Sequence, residues 1–407
     1  MSFRDTELGK LPCEWEVNTM ENSLSEIIDY RGKTPEKSES GIVTLSAKSV
    51  KNGYIDYTSA YYISEETYKK FMVRGFPKKG DILLTTEAPL GYVAKLDRDK
   101  VAIAQRLLTL RGKEGYLDND YLRYYLMSSN GQYQLKSRET GTTVTGIKQS
   151  EFRKAIIAIP PIEEQKAISS VLSSLDEKIE VNNQINKTLE AMAQALFKHW
   201  FVDFEFPNED GEPYKSSVGE LVESELGMIP KGWRVHRNSE VFKLLYGKAL
   251  KAEDRCTGLY PVYGSNGIVG YHNEALVKGP GIVIGRKGNP GTVNFVWDDF
   301  YPIDTTFYVD SKVSKIYLYY ALKVQNLDKL GTDSAVPGLN RNIAYMNLIL
   351  VPNEDNLKCF DETILPILNY IKCKESENNQ LLALRDTLLP KLMSGEIRVP
   401  IDQEGEI

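Results

Sequence analysis

The stretch TELGKLPCEWEV, residues 6–17, returns in altered form as SELGMIPKGWRV at residues 224–235. The two copies share Glu, Leu, Gly, Pro, Trp and Val at six of twelve positions, offset by 218 residues in a chain of 407. Internal self-similarity is the signature of a repeated structural unit. The pattern therefore predicts two halves with one fold.

Further pairs of similar segments follow in the same order in both halves. Residues 81–94 and 281–294 each contain an apolar run, a polar turn with a glycine, and a second apolar run. Residues 139–161 and 329–352 each contain a Gly-Thr pair, a second glycine, a polar or basic cluster and a short apolar run before proline. Frequent Gly, Pro, Tyr and β-branched residues predict a strand-rich domain in each half.

Helical segments complete each half. Shorter helices are predicted within the strand-rich domains at 118–136 and 311–330, which makes the class α+β. Two acidic segments, within 161–217 and 354–407, carry apolar residues in a heptad pattern with a polar interruption. A helix of about 40 residues is roughly 60 Å long. The predicted seam comprises Leu172, Leu175, Ile179, Asn182, Leu189, Leu196, Ile364, Leu368, Ile371, Asn378, Leu382 and Leu389.

The natural partner for one long apolar seam is the other. We expect an antiparallel coiled coil within the chain, in which Asn182 faces Asn378 and fixes the register. Pro366 and Pro390 predict a kink or frayed ends in the second helix. The alternative is that each helix packs on its own domain. The first interpretation gives two α/β domains separated by two long helices, with a pseudo-twofold internal repeat.

Charge is distributed unevenly along a chain whose net charge is −6. Residues 1–160 have net charge +3 and residues 218–353 have +2, whereas 161–217 have −6 and 354–407 have −5. The basic blocks permit a nucleic-acid partner, although acidic helices with solvated faces explain the pattern equally well. No apolar run has the length of a membrane span, and the four scattered cysteines favour free thiols in a reducing cytoplasm.

Motifs for catalysis are missing from the sequence. GPGIVIGRKG at 279–288 has glycines without phosphate-loop spacing, and no GxGxxG motif follows a strand. The three histidines are too far apart to predict a zinc site. LDEKIE at 175–180 resembles some nuclease sites in composition, but it lies in the helical seam, where a solvated face explains it better. We therefore expect a non-catalytic chain.

The order of these segments resembles the specificity subunit of Type I restriction–modification systems over essentially the whole chain. The similarity is carried by ELGMIPKGW (225–233), the segment 141–168 that ends the first domain, the segment 260–293 inside the second, and LLPKLMSGEI (388–397). No single string is decisive, but their duplicated order is specific. The resemblance implies target-recognition domains at 1–160 and 218–353, a central helical spacer at 161–217, and a distal helical spacer and tail at 354–407.

The resemblance also implies a function and a set of partners. Each target-recognition domain would recognise one half of a bipartite, asymmetric site on double-stranded DNA, and the coiled coil would set the spacing and dock two methyltransferase subunits. Two restriction and translocase subunits complete such an assembly in the cytoplasm. S-adenosylmethionine, ATP and magnesium would belong to the partner subunits, so we expect no cofactor or metal in this chain and no membrane contact.

Candidate DNA contacts are polar side chains in glycine-bounded loops, because hydroxyl, amide and cationic groups bind phosphates and base edges. Plain surface turns and structural ion pairs are the alternatives, with Arg106 equally suited to an ion pair. The loop GRKGNPG (285–291) is the strongest candidate. Trp15 and Trp233 of the repeated opening motif are predicted to be core residues. In the first domain the candidates are Thr85, Thr86, Glu87, Gln105, Arg106, Thr142, Thr143, Thr145 and Lys148. In the second they are Ser265, Asn266, Arg286, Lys287, Asn289, Thr305, Thr306, Asn340 and Arg341.

Three other interpretations stay open at this point. In the first, the chain is an enzyme with an unrecognised site, which activity of the purified chain with S-adenosylmethionine or magnesium would reveal. In the second, it is a coiled-coil adaptor without DNA recognition, in which case mutation of Arg286 and Lys287 leaves salt-sensitive DNA binding intact. In the third, it is an orphan specificity subunit that binds DNA without partners.

Overall fold

The fold was analysed in a computed structural model that describes residues 2–30, 32–141, 145–330 and 338–400. The chain forms two compact units. The first unit contains the chain up to Asn182 and again from Ser376 onward. The second unit contains Asn183–Glu375. Each unit thus contains one strand-rich domain and parts of both long helices.

The first unit is built around a four-stranded antiparallel sheet with the order β4-β10-β7-β8. A three-stranded sheet, β6-β5-β9, has β9 parallel to β5, and the pairs β1-β2 and β3-β11 form two small antiparallel sheets. The elements are β1 (Phe3–Thr6), β2 (Gly9–Pro12), β3 (Glu16–Thr19), α1 (Met20–Ser23), β4 (Leu24–Asp29), β5 (Ile42–Leu45), β6 (Tyr61–Ile63), α2 (Glu65–Phe71), β7 (Ile82–Thr86), β8 (Leu90–Lys95), β9 (Ala102–Ile103), β10 (Leu107–Gly112), α3 (Asn119–Met127), α4 (Ser129–Lys136), α5 (Gln149–Arg153), β11 (Ile156–Ile159) and α6 (Ile162–Phe201), with a 3-10 turn at Tyr57–Ser59.

Alternation along the strands explains why the four-stranded sheet is buried on both faces. Ile82 and Leu84 of β7 point into one hydrophobic core with Leu110. Leu83, between them, points into a second core with Leu107. Successive side chains of a strand face opposite sides, so the apolar run ILL supplies both cores.

The second unit repeats this topology strand for strand. Its four-stranded sheet has the order β15-β21-β18-β19, its three-stranded sheet has the order β17-β16-β20 with β20 parallel to β16, and its small sheets are β12-β13 and β14-β22. The elements are β12 (Leu221–Ser224), β13 (Gly227–Pro230), β14 (Arg234–Arg237), α7 (Asn238–Val241), β15 (Phe242–Tyr246), β16 (Tyr260–Gly264), β17 (Gly267–His272), β18 (Gly281–Gly285), β19 (Val293–Val296), β20 (Tyr301–Pro302), β21 (Thr306–Ser311), α8 (Lys315–Val324), α9 (Arg341–Met346), β22 (Leu348–Val351) and α10 (Glu354–Met393), with 3-10 turns at Ala252–Asp254 and Leu327–Leu330. The predicted α+β class with a duplicated domain is confirmed.

The long helices α6 and α10 have 40 residues each and pair with one another. In the first unit the Asn182 amide donates to the Asn378 side-chain oxygen at 2.9 Å, and Arg385 donates to Asp176 at 3.0 Å. From the first contact to the second, the residue number falls along α6 and rises along α10, so the two helices are antiparallel, as predicted. Helix α10 continues through both Pro366 and Pro390. Every predicted seam residue is buried or half-buried.

Each helix also packs on the domain of its own unit. In the first unit Ile168 and Leu172 of α6 share a hydrophobic core with Trp15. In the second unit Phe360 and Ile364 of α10 share a core with Trp233. The two arrangements offered as alternatives in the sequence therefore occur together. Both tryptophans are buried, which confirms their predicted place in the core.

The shorter helices differ from their predicted extents. The helix predicted at 118–136 is divided at Ser128, whose backbone is extended and whose hydroxyl accepts a hydrogen bond from the Gly131 amide at 3.2 Å. A serine that caps the next helix in this way interrupts the first. The helix predicted at 311–330 is confined to α8 and one 3-10 turn, because Asn326 has a left-handed φ of 49°.

Candidate nucleic-acid interface

Three separated loops of the first unit meet at one end of its four-stranded sheet. The Thr86 amide donates to the Arg106 carbonyl at 3.0 Å, and the Ile147 amide donates to the Thr86 carbonyl at 3.0 Å. Glu87 forms a bridge with Gly146. The Arg106 guanidinium lies 2.5 Å from the Glu87 carboxylate. The structure therefore brings together the stretches at 85–87 and 105–106 and the described part, from residue 145, of the third stretch that the sequence suggested for this domain.

The corresponding loops of the second unit meet in the same way. The Arg286 amide donates to the Thr305 carbonyl at 2.9 Å, and the Leu339 amide donates to the Arg286 carbonyl at 2.9 Å. Lys287 forms a bridge with Gly338. The loop 286–292 thus lies beside 303–306 and the segment that begins at Gly338.

A fourth loop of the second unit is fastened to these by Ser265. Its hydroxyl donates to the carbonyls of Lys287 and Thr305, the latter at 2.8 Å. Its own carbonyl accepts from the Thr292 hydroxyl at 2.6 Å. The Asn289 amide donates to the Asn266 side-chain oxygen. The predicted residues of this domain therefore form one cluster.

Four of the predicted DNA contacts have buried side chains. Thr85, Thr86 and Thr306 are at most 5% exposed, and Ser265 is 8% exposed. The Thr85 hydroxyl accepts from the Tyr92 amide at 2.8 Å, and the Thr306 hydroxyl donates to the Ile303 carbonyl at 2.8 Å. These side chains are enclosed between strands or already bonded within the protein, and their contact with DNA stays a prediction.

The other predicted residues are accessible to varying degrees. Gln105, Arg286, Thr305 and Arg341 are half-buried, and Glu87 is half-buried beside an exposed Arg106. The exposed Asn340 caps α9, since its side-chain oxygen accepts from the Asn342 amide at 2.9 Å. Thr142 and Thr143 lie outside the described residues. The remaining exposed candidates are Thr145, Lys148, Asn266, Lys287 and Asn289.

Matching hydrogen bonds identify equivalent positions in the two units. Thr86 corresponds to Arg286 and Arg106 to Thr305, because each pair makes the same amide-to-carbonyl bond. Glu87 corresponds to Lys287, because each bridges the equivalent glycine, Gly146 or Gly338. The residues that follow Ile147 and Leu339 are then equivalent as well, so that Lys148 corresponds to Asn340 and Gln149 to Arg341. The backbone is thus repeated while the exposed chemistry changes, with charge inverted at the Glu87–Lys287 position.

Two glycines of the repeat support this shared backbone. Gly91 has a φ of 90° and Gly291 a φ of 82°, and they end equivalent turns after β7 and β18. A Cβ on Gly291 would lie 2.1 Å from the Asp328 amide nitrogen. Any other residue there would be strained and would also displace the neighbouring 3-10 turn.

Tyr246 is a residue of this cluster that the sequence did not single out. It ends β15 opposite Phe307 and is 49% exposed. Strand register makes it equivalent to Asp29, which lies opposite Leu108 in the first unit. The signal was present in the repeat, since an aromatic residue replaces an acid at the end of an equivalent strand.

The described residues contain neither a candidate membrane span nor a candidate metal site. No described helix is long and apolar enough to cross a membrane. Within the described ranges, histidine, cysteine and acidic side chains form no cluster of three suited to a metal ion.

Comparison with known proteins agrees with this duplicated arrangement. The family described as Type I restriction modification DNA specificity domain matches residues 14–191 and 230–383. The Type I restriction enzyme MjaIX specificity subunit of Methanocaldococcus jannaschii is 28% identical, covering 98% of this chain and 96% of the relative. The HindI specificity subunit of Haemophilus influenzae is 24% identical over 79% of this chain and 87% of its own length.

The fold is similar to one already solved. The crystal structure of a Type I restriction–modification S subunit from M. genitalium aligns with a TM-score of 0.58 and 20% identity, covering 93% of this chain and 96% of that one. The family match covers both halves of the chain, including most of each paired helix and the loops at the sheet ends. The chain therefore belongs to the family of Type I restriction–modification DNA specificity domains.

Proposed function

We propose that each unit recognises one half of a bipartite, asymmetric DNA site for a Type I restriction–modification assembly. One observation carries this proposal: equivalent loops of a repeated fold bear different exposed side chains, such as Glu87 against Lys287 and Arg106 against Thr305. A shared backbone suits a shared ligand, which is the DNA duplex. Different side chains suit different base edges, since sequence is recognised by groups on those edges.

Catalysis in this proposal belongs to partner subunits. Two methyltransferase subunits would use S-adenosylmethionine, and two restriction and translocase subunits would use ATP and magnesium. The acidic segments 161–217 and 354–407, with net charges of −6 and −5, suit contact with proteins better than contact with phosphates. The paired helices are therefore the proposed docking surface for the methyltransferases, and the cytoplasm is the proposed location.

An exchange of one domain tests the proposal. Residues 218–353 would be replaced by the same span of a relative, and the chimera would be co-expressed with its methyltransferase subunit. We expect the methylated motif to change in one half-site only, because the loops of the first unit are unaltered. A change in both half-sites, or an unchanged motif, would contradict the proposed division between the units.

A further inference from the structure

The second unit carries a cluster of guanidinium groups on an exposed aromatic ring. The Cζ atoms of Arg286 and Arg341 each lie 5.1 Å from the centroid of Tyr246. Arg286 also donates to the Asp304 carbonyl at 2.8 Å, and Arg341 also lies 6.0 Å from the Tyr345 ring. Planar contacts of this kind hold an arginine in few conformations.

These cations are not neutralised within the part of the chain that the structure describes. Neither Arg286 nor Arg341 has a carboxylate within ion-pair distance among the described residues, and the neighbouring Lys287 has none there either. The Arg341 Nε is buried without a described hydrogen-bond partner. In the first unit, by contrast, Arg106 is neutralised by Glu87 at 2.5 Å.

The first unit forms the same sheet without an equivalent cluster. At the three equivalent positions the first unit has Asp29, Thr86 and Gln149, and its sheet is nevertheless the same. The Gln149 amide there donates to a strand carbonyl, that of Ile27, at 3.1 Å. The shared sheet therefore does not by itself account for the two arginines of the second unit.

Guanine is the base that matches such a cluster. It presents two acceptors, O6 and N7, on its major-groove edge, and a guanidinium can donate to both. Resting on the proposed DNA recognition, we propose that Arg286 and Arg341, held over Tyr246, recognise guanine in the half-site of the second unit. The first unit has Thr86 and Gln149 at the equivalent positions. We expect it to have a different preference, because the neighbouring Glu87 can accept from a base amino group.

Lysine substitution distinguishes guanine recognition from simple attraction to phosphate. Lysine keeps the charge but loses the planar pair of donors. In Arg286→Lys, Arg341→Lys and the double variant, co-expressed with the methyltransferase subunit, we expect preference for guanine to fall roughly 10- to 100-fold at one or two positions. The other half-site stays unchanged. Arg234→Lys, an exposed arginine of the same unit outside the cluster, is the matched control and should keep the wild-type motif.

Tyr246 acts as a positioning residue in this account. Tyr246→Phe keeps the ring and should retain the guanine preference, whereas Tyr246→Leu should relax it at the same positions as the lysine variants. Thermal unfolding of each purified chain checks that the variants are folded. A merely structural role for the ring would change stability without changing the motif.

Several results would overturn the inference. A half-site without guanine on either strand, once assigned to the second unit by the exchange of residues 218–353, would contradict it directly. Unchanged motifs in folded lysine variants would do so as well, and would assign the arginines to phosphates. Failure of the proposed function is separate, since the wild-type chain would then direct no split motif at all.

Discussion

Glu164 shows how a single buried charge is tied to its surroundings. Its side chain is 1% exposed and accepts from the Trp15 indole at 3.1 Å and from Arg398 at 2.7 Å. Arg398 also lies 2.5 Å from Glu14. The segment after α10 is thereby joined to the opening motif of the chain and to the start of α6. A buried carboxylate depends on such partners because water cannot solvate it.

Removing the arginine should therefore be costly. In Arg398→Gln, Glu164 keeps only the indole among these two donors, and we expect unfolding free energy to fall by about 3 kcal/mol. Lys70→Gln is the control, since the Lys70–Glu66 pair is about three-quarters exposed and should contribute about 0.5 kcal/mol or less. Urea unfolding of each variant measures both. Equal effects would contradict the importance of burial.

Asp361 gives a prediction about pH. Burial raises the pKa of this carboxyl above its ordinary 3.8, although a hydrogen bond from the Ser314 hydroxyl at 2.6 Å opposes the shift. The folded protein thus binds the proton more tightly, so this group lowers stability as pH rises above about 3.8 through the raised pKa.

Asp361→Asn removes that loss while keeping an acceptor for Ser314. We expect the variant to gain unfolding free energy relative to wild type between pH 4 and pH 7, by about 1 kcal/mol or less because solvent screens a half-exposed carboxylate. Urea titrations across this range, with Asp386→Asn at an exposed position as control, make the comparison. A relative loss at pH 7 would show that the ionised form is the stabilised one.

Individual loop residues were harder to predict from the sequence than the loops themselves. The loops at 85–87, 105–106 and 140–148 were found from composition, but Thr85 and Thr86 could not be recognised as buried. Both threonines directly follow the apolar residues of a strand. Whether their hydroxyl groups are buried or exposed depends on the residue at which that strand ends. Tyr246 was missed because its partners, Arg286 and Arg341, are far from it in sequence.

At the scale of elements, the paired helices were the most predictable feature. A heptad pattern of apolar residues indicates both a helix and the face that it buries, and the buried Asn182–Asn378 contact follows from the polar interruption in each seam. The shorter helices were less predictable. Their ends are set by local bonds, such as the Ser128 cap, and by the left-handed Asn326.

The Asn182–Asn378 pair is expected to fix the register of the two helices at a cost in stability. Replacing both residues by leucine should raise the thermal unfolding midpoint, because apolar side chains at this position pack without loss of solvation. Asn182→Leu alone should lower stability by about 1 kcal/mol, because it removes the hydrogen bond to a polar partner that remains buried. A double-mutant cycle measured by urea unfolding gives the coupling. Additive effects would show that the pair does not interact.

At the scale of the whole molecule, the helices that pass from one unit into the other are proposed to fix the unread spacing between half-sites. A matched insertion of one heptad at 182/183 in α6 and at 375/376 in α10 preserves the antiparallel pairing. Seven residues add about 10 Å of helix, which corresponds to roughly three base pairs. We expect the same half-sites with a longer gap. Altered half-sites with an unchanged gap would contradict this role.

This chain is proposed to determine which bipartite DNA sequence is methylated. Co-expression with the methyltransferase subunit of the same system, followed by long-read mapping of methylated adenines, tests it most directly against a strain that lacks only this chain. The account predicts one split, asymmetric motif that appears only when the chain is present. Methylation of the same sequences without the chain, or a folded complex that produces no motif, would contradict it.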